Sequence, residues 1–325
     1  MKPVTEPLFY YKIIPDGPSE GSGVRILGCR SLDTGVEVPE VMGGYPVTEI
    51  APYAFSERRA WQEEGQWTYE CEEPDMPPLL CGTRLEEITL PPSLTRIGNY
   101  AFYNCYELKK LTCHSTIRDL GSGLFTGCGK LAEISVTIVR EEKSCLKEML
   151  SELRQTLTVR FTEPRGTALL IFPEFYEESV ENTPARLLST QTHGCGHMYR
   201  YCFEQTHFLF REYDSLFPHV RSQESEELVV RLALGRLRYP LELSEAARET
   251  YENYVREHWE AAGAAILEQR DMEGLAWLTA AFGPQQEQVE KLIVMAEKRR
   301  GTEALSYLMD YRHEHFKAKK RRFEL

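Results

Sequence analysis

Five side chains with metal-ligand or nucleophile chemistry fall in one short stretch: His193, Cys195, His197, Cys202 and His207. Imidazole and thiolate are the usual ligands of zinc, so His193, Cys195, His197 and Cys202 form a candidate zinc set. On an extended strand the first three would share a face, because alternate residues point the same way. The spacing H-x-C-x-H-x4-C-x4-H matches no common zinc finger. The plain alternative is a turn at Gly194 and Gly196 that carries these side chains incidentally. The same stretch offers thiol chemistry, with Cys195 or Cys202 as nucleophile and His193 or His207 as base. Other catalytic signatures are missing from the sequence: it has no G-x-S-x-G, no Walker A and no H-E-x-x-H.

A second group of candidate residues lies in the segment WQEEGQWTYECEEPDMPPLLCG. Trp61, Trp67 and Tyr69 stand among Glu63, Glu64, Glu70, Glu72, Glu73 and Asp75. Exposed aromatic rings beside acids suit a basic or cationic partner, so Trp61, Trp67, Tyr69 and Glu70 are the candidate binding residues. The alternative is that the two tryptophans fold back and cover the edge of the solenoid from which the segment emerges. Cys71 and Cys81, nine residues between them, would pair only in an oxidising compartment.

The elements that must position these groups are set by a repeat. Leu85, Leu108 and Leu131 follow one another at 23 residues, as do Ile88, Leu111 and Ile134. Ile97 and Leu120, Phe102 and Phe125, and Cys105 and Cys128 keep the same interval. A fixed period in the twenties marks a solenoid whose units bury their apolar edges only by stacking. Alternation of Ile88, Thr89 and Leu90 predicts a strand with one buried face, and Phe102 and Phe125 are expected to stack as a column. Ile50 and Phe55 precede Ile97 and Phe102 by 47 residues. That interval is one repeat plus an insertion of 24, placed at about 59–82.

The pattern L-x-x-I-x-L-P-x-S-L-T-x-I-G-x-Y-A-F-x-x-C is carried by Leu85, Ile88, Leu90, Pro91, Ser93, Leu94, Thr95, Ile97, Gly98, Tyr100, Ala101, Phe102 and Cys105. It resembles the BspA-type (Treponema-type) leucine-rich repeats of bacterial proteins over roughly Val24 to Val136. The resemblance implies a short strand per repeat, a non-helical return through the I-G-x-x-A-F turn, and a role in adhesion or protein interaction. Leu124 departs from the pattern, where Ala is expected.

The rest of the chain is mixed. Tyr10 to Ile14 reads as a short edge strand, with further strands at Val24–Ile26 and Val36–Val38. Glu141 to Gln155 reads as an amphipathic capping helix, with Leu146, Met149, Leu150 and Leu153 on one face. Residues 157–218 read as a small α+β unit. From Ser222 the pattern is helical: Glu226 to Arg238 stops before Pro240, and Ser244 is the N-cap of a helix running to about Glu260. RDMEGLAWL at 270–278 aligns with RGTEALSYL at 300–308, an offset of 30. This is similar to ankyrin or other αα-hairpin arrays in spacing, although the ankyrin T-P-L-H motif is absent.

Composition bounds the function. A net charge of −12 disfavours nucleic acid as a partner. The basic cluster Lys317, Lys319, Lys320, Arg321 and Arg322 reads as a solvated chain end. No apolar run is long enough for a membrane span. The N-terminal MKPVTEPLFYYKIIPDG is no secretory signal, so a cytoplasmic location is expected, or the cell surface if a leader was removed. The expected fold class is α+β and multi-domain: a leucine-rich-repeat solenoid over 1–140, a capping helix and α+β connector over 141–221, and a helical-repeat domain over 222–325. The expected function is a non-enzymatic scaffold for a protein partner, without cofactor. The rival is a zinc-binding or thiol enzyme centred on His193–His207.

Overall fold

The computed structural model describes residues 6–17, 21–58, 64–68, 76–139, 144–182 and 187–316. The first half is a run of strands: β1 (Leu8–Gly17), β2 (Gly21–Arg30), β3 (Gly35–Glu37), β4 (Val41–Met42), β5 (Tyr45–Ile50), β6 (Gln66–Trp67), β7 (Glu87–Thr89), β8 (Arg96–Ile97), β9 (Lys110–His114), β10 (Asp119–Leu120) and β11 (Glu133–Thr137). Then follow α1 (Leu146–Glu152), β12 (Leu157–Glu163), β13 (Gly166–Phe172), β14 (Tyr176–Asn182), β15 (Leu187–His193), α2 (Gly196–Arg200), β16 (Phe203–Glu204), β17 (His207–Phe208), α3 (Phe210–Ser215) and α4 (Phe217–Gln223). The chain finishes with α5 (Glu226–Arg238), α6 (Glu245–Glu257), α7 (Trp259–Glu268), α8 (Met272–Phe282), α9 (Gln286–Lys298) and α10 (Thr302–His315). Contacts divide it into two compact units, Met1–His219 and Val220–Leu325.

The first unit is the solenoid. Its two main sheets run β10-β8-β5-β2-β1-β6 and β13-β12-β11-β9-β7-β3. In the second sheet Val36, Ile88, Leu111, Ile134 and Val159 lie side by side in parallel register. In the first, Ile26, Ile50, Ile97 and Leu120 do the same. Ile50 and Ile97 are thus direct neighbours despite lying 47 positions apart, so one unit plus an insertion is the correct account of that interval. Phe55, Phe102 and Phe125 form the expected column, with centroids 5.5 and 6.0 Å apart and planes tilted by 21° and 7°. Each ring is buried, which stabilises the fold by roughly 1.5–3 kcal/mol per side chain.

Two further devices repeat with the column. The Cys105 thiol donates to the Phe55 carbonyl at 3.2 Å, and the Cys128 thiol to the Phe102 carbonyl at 3.1 Å. Burial pushes both thiols up, Cys128 to about 12, so they stay protonated donors. Gly98 and Gly121 occupy equivalent positions, and a Cβ there would collide with the backbone of Pro52 and of Asn99. The Gly of the I-G-x-x-A-F turn is therefore required by close approach of successive turns.

The helical cap is shorter than its apolar pattern. It spans Leu146–Glu152, because Leu153 is extended (φ −106°, ψ 122°) and leads the chain into β12. Residues 157–172 do not leave the solenoid: β12 extends the parallel sheet and β13 closes it in antiparallel fashion. At the outer edge of β13 the Tyr213 hydroxyl accepts from the Ile171 amide at 2.8 Å and donates to the Ile171 carbonyl at 2.7 Å.

The second unit pairs α5 with α6, α7 with α8 and α9 with α10, while α5, α7 and α9 pack side by side. Ser225 and Ser244 cap α5 and α6 by accepting from Leu228 and Ala247 amides. The helix expected to run to Glu260 ends at Glu257, where His258 (φ −111°, ψ 40°) breaks it before α7. The internal repeat is visible in the backbone: Arg270 and Arg300 both adopt left-handed conformations, φ 53° and 54°, ahead of α8 and α10. The basic tail after residue 316 lies outside the described residues.

Truncating the middle of the aromatic column by Phe102→Ala should cost about 3–5 kcal/mol, read as a drop in the denaturant midpoint. The conservative Phe102→Leu should cost clearly less.

Candidate functional site

The broad surface of the solenoid is the outward face of its second sheet. Burial alternates along each strand: Leu111 and Cys113 point inward while Lys110, Thr112 and His114 are half-exposed, and Ile134 and Val136 point inward while Ser135 and Thr137 are half-exposed. Register then arranges the outward side chains in rows. One row is Glu87, Lys110, Glu133 and Thr158; the next is Thr89, Thr112, Ser135 and Arg160; a third is His114, Thr137 and Thr162. Short hydroxyl side chains predominate in the second and third rows, while the first alternates Glu87, Lys110 and Glu133 in charge. The flank beside it is tied by ion pairs at the repeat interval, Lys109 to Glu86 at 2.6 Å and Lys130 to Glu107 at 2.7 Å. The hydrogen bond it donates to Glu86 holds the Lys109 ammonium above its usual range, and the one received from Lys130 holds the Glu107 carboxyl below its own.

The last turn has no further turn to supply its partners, and side chains replace it. In inner turns Tyr53 N donates to Asn99 O and Tyr100 N to Ser122 O. At the equivalent place, Gly123 N and Phe125 N donate to the two carboxylate oxygens of Glu152, each at 3.0 Å. The Gln155 amide donates to Cys128 O and Leu131 O at 3.2 and 3.0 Å.

Of the candidate binding residues, Trp67 is described; Trp61, Tyr69 and Glu70, with Cys71, lie outside the described residues. Trp67 is half-buried. It sits on β6, antiparallel to edge strand β1, with its ring 5.0 Å from Tyr10 and the Arg30 guanidinium 5.6 Å from its centroid. Gly65 N and the Gln66 amide donate to the Tyr10 and Tyr11 hydroxyls. This tryptophan thus covers the edge of the first sheet, and it belongs to a different sheet from the outward hydroxyl face.

The His/Cys stretch is not one strand. His193 ends β15, Gly194 turns the chain at φ 86°, and Cys195 is the N-cap of α2. His193, Cys195 and His197 consequently do not share a strand face. His193 stacks on Tyr176 at 4.6 Å and faces Glu178 at 3.3 Å. His197 Nδ1 lies 3.1 Å from Gly194 O. Cys195 is fully buried, and the Cys202 thiol donates to Met198 O at 3.6 Å. Among the described residues no group of three or more His, Cys, Asp or Glu is gathered to hold a metal ion. Burial pushes the Cys202 thiol up to about 12, the reverse of the environment that activates a thiolate.

What this stretch does instead turns on a residue that no motif singles out. Arg200 is buried, and its guanidinium donates to Leu153 O, Pro173 O, Gly196 O and Gln155 O at 2.6–2.9 Å. Its charge lies 5.0 Å from the Phe175 ring centre. Desolvation lowers it to about 10, so it remains a cation at neutral pH. Its only sequence signal is a place in the helical turn GHMYR, indistinguishable from a surface arginine.

Comparison with known proteins supports the repeat reading. The family model described as "BspA type Leucine rich repeat region (6 copies)" matches residues 79–159. No curated protein matches the chain. Among solved structures, a leucine-rich cell surface protein from Faecalibacterium prausnitzii A2-165 matches at 21% identity and a TM-score of 0.29, over 47% of this chain and 41% of that one. The leucine-rich-repeat protein of T. pallidum matches at 21% identity and a TM-score of 0.23, over 39% of this chain and 68% of that one. This chain therefore spans less than half the length of the first of these proteins. Residues 79–159 are a leucine-rich-repeat region of the BspA type.

Proposed function

We propose that this chain is a non-catalytic scaffold that holds a protein partner on the outward face of the parallel sheet. The observation that carries the reading is the set of register-aligned rows Glu87–Lys110–Glu133 and Thr89–Thr112–Ser135–Arg160. A rigid sheet presents these groups at fixed spacing, so a partner would meet them without an ordering cost. Short hydroxyl side chains lose little rotamer freedom on contact and can donate or accept. The repeat family, whose members are associated with protein interaction, agrees with a binding role. Among the described residues no helix is long and apolar enough to cross a membrane. The insertion residues Trp61, Tyr69 and Glu70 are proposed as a second contact for the same partner, next to Trp67.

Photo-crosslinking tests the face directly. A benzophenone side chain at Thr112 should capture a single co-purifying protein from native cells. The same probe at Glu249, on the second unit, should not. Equal capture at both positions would contradict the proposal. Replacing Thr112 and Ser135 with Arg should abolish capture while leaving Tm within a few degrees, since surface substitutions usually cost less than about 0.5 kcal/mol. Trp61→Ala should reduce capture without removing it.

A further inference from the structure

The hairpin β14–β15 is a two-stranded sheet of its own. Its register runs from Tyr176 opposite His193 to Asn182 opposite Leu187, and among the described residues no third strand joins it. An isolated two-stranded ribbon is marginal in water unless further strands or packing support it. Tyr176, Glu177, Glu178, Ser179, Thr190, Gln191 and Thr192 are all exposed. Among the described residues, support comes at the base, where Phe175 N donates to Arg154 O at 3.0 Å and Arg154 pairs with Glu177 at 2.8 Å.

The two strands differ in charge. β14 carries Glu177, Glu178 and Glu181, whereas β15, with the sequence LLSTQTH, carries no carboxylate, ammonium or guanidinium group. Charged side chains on an edge strand block its pairing with another chain, and an uncharged edge leaves it open.

We propose that β15 is a dimerisation edge, pairing antiparallel with β15 of a second copy of this chain about a twofold axis at Thr190. The strand Leu187–His193 is centred on Thr190. That register sets Thr190 opposite Thr190, Ser189 opposite Gln191, Leu188 opposite Thr192 and Leu187 opposite His193, with no like charges facing. The same operation on β14, centred on Ser179, would oppose Glu177 to Glu181 and is disfavoured. The product is a four-stranded sheet with both acidic strands outermost. Those outer strands resist further addition, so a twofold contact of this kind closes at the dimer. The inference is independent of the hydroxyl face proposed above.

Sedimentation of the full chain should show a mass rising with concentration from 37.5 kDa towards twice that value. Thr190→Lys places two ammonium groups face to face across the axis, while Glu177 of its own hairpin remains on the same face. This variant should dissociate at least about tenfold more readily, with an unchanged circular dichroism spectrum. Thr190→Cys should form a covalent dimer on mild oxidation, in excess of the parent chain's own cysteines, and Ser179→Cys should not. A parent chain that stays monomeric at every concentration would overturn the proposal. So would a dimer that Thr190→Lys leaves intact, or equal cross-linking at positions 179 and 190.

Discussion

Each turn of this solenoid satisfies its backbone through its neighbour. Tyr53 N reaches Asn99 O, Tyr100 N reaches Ser122 O, and the strands pair in parallel from Val36 across to Val159. Buried backbone groups must be paired, so the arrangement holds for inner turns and fails at any end. The structure answers that failure with side chains at several of the end positions. Glu152 stands in for two missing carbonyls, Gln155 for missing amides, and the Tyr213 hydroxyl serves both groups of Ile171 on the outermost strand. At the other end, antiparallel β1 closes the sheet and β6 with Trp67 covers β1 in turn.

Arg200 ties these terminal pieces together. Its guanidinium spans the exit of the capping helix at Leu153, the start of β12 through Gln155, and the end of β13 at Pro173. A buried cation without a carboxylate partner is costly to desolvate. Here four carbonyl dipoles and the face of Phe175 compensate it. A lysine would not reproduce this fork geometry. The stretch that resembles a metal site is thus the packed junction where the cap closes: Cys195, Tyr199 and Cys202 are buried beside Arg200 as core residues.

The solenoid was legible because its physics repeats. Phe55, Phe102 and Phe125, or Ile50 and Ile97, recur at intervals that only stacking explains, and the register agrees with them. The helical unit was legible for a similar reason, since Ser244 signals a cap locally and the 270/300 offset marks matched turns. What escaped was whatever depends on a single long-range partner. Nothing local shows that LTVRFTE continues a parallel sheet begun elsewhere, or that Arg200 is buried. Gly194, by turning the chain, removes the shared strand face on which the metal reading depended. For Trp61, Tyr69 and Glu70 the aromatic-acidic composition suggests recognition, but composition does not fix where the rings point.

The end devices have an evolutionary corollary. Glu152 and Gln155 recognise the last turn by its backbone, at Gly123, Phe125, Cys128 and Leu131. Duplicating or deleting one 23-residue unit between Leu85 and Cys128 would leave both ends chemically unchanged. Array length can therefore change by whole turns in this architecture without loss of either end's backbone pairing. A lineage can in this way extend or trim every row of the hydroxyl face by one residue per turn without redesigning either terminus.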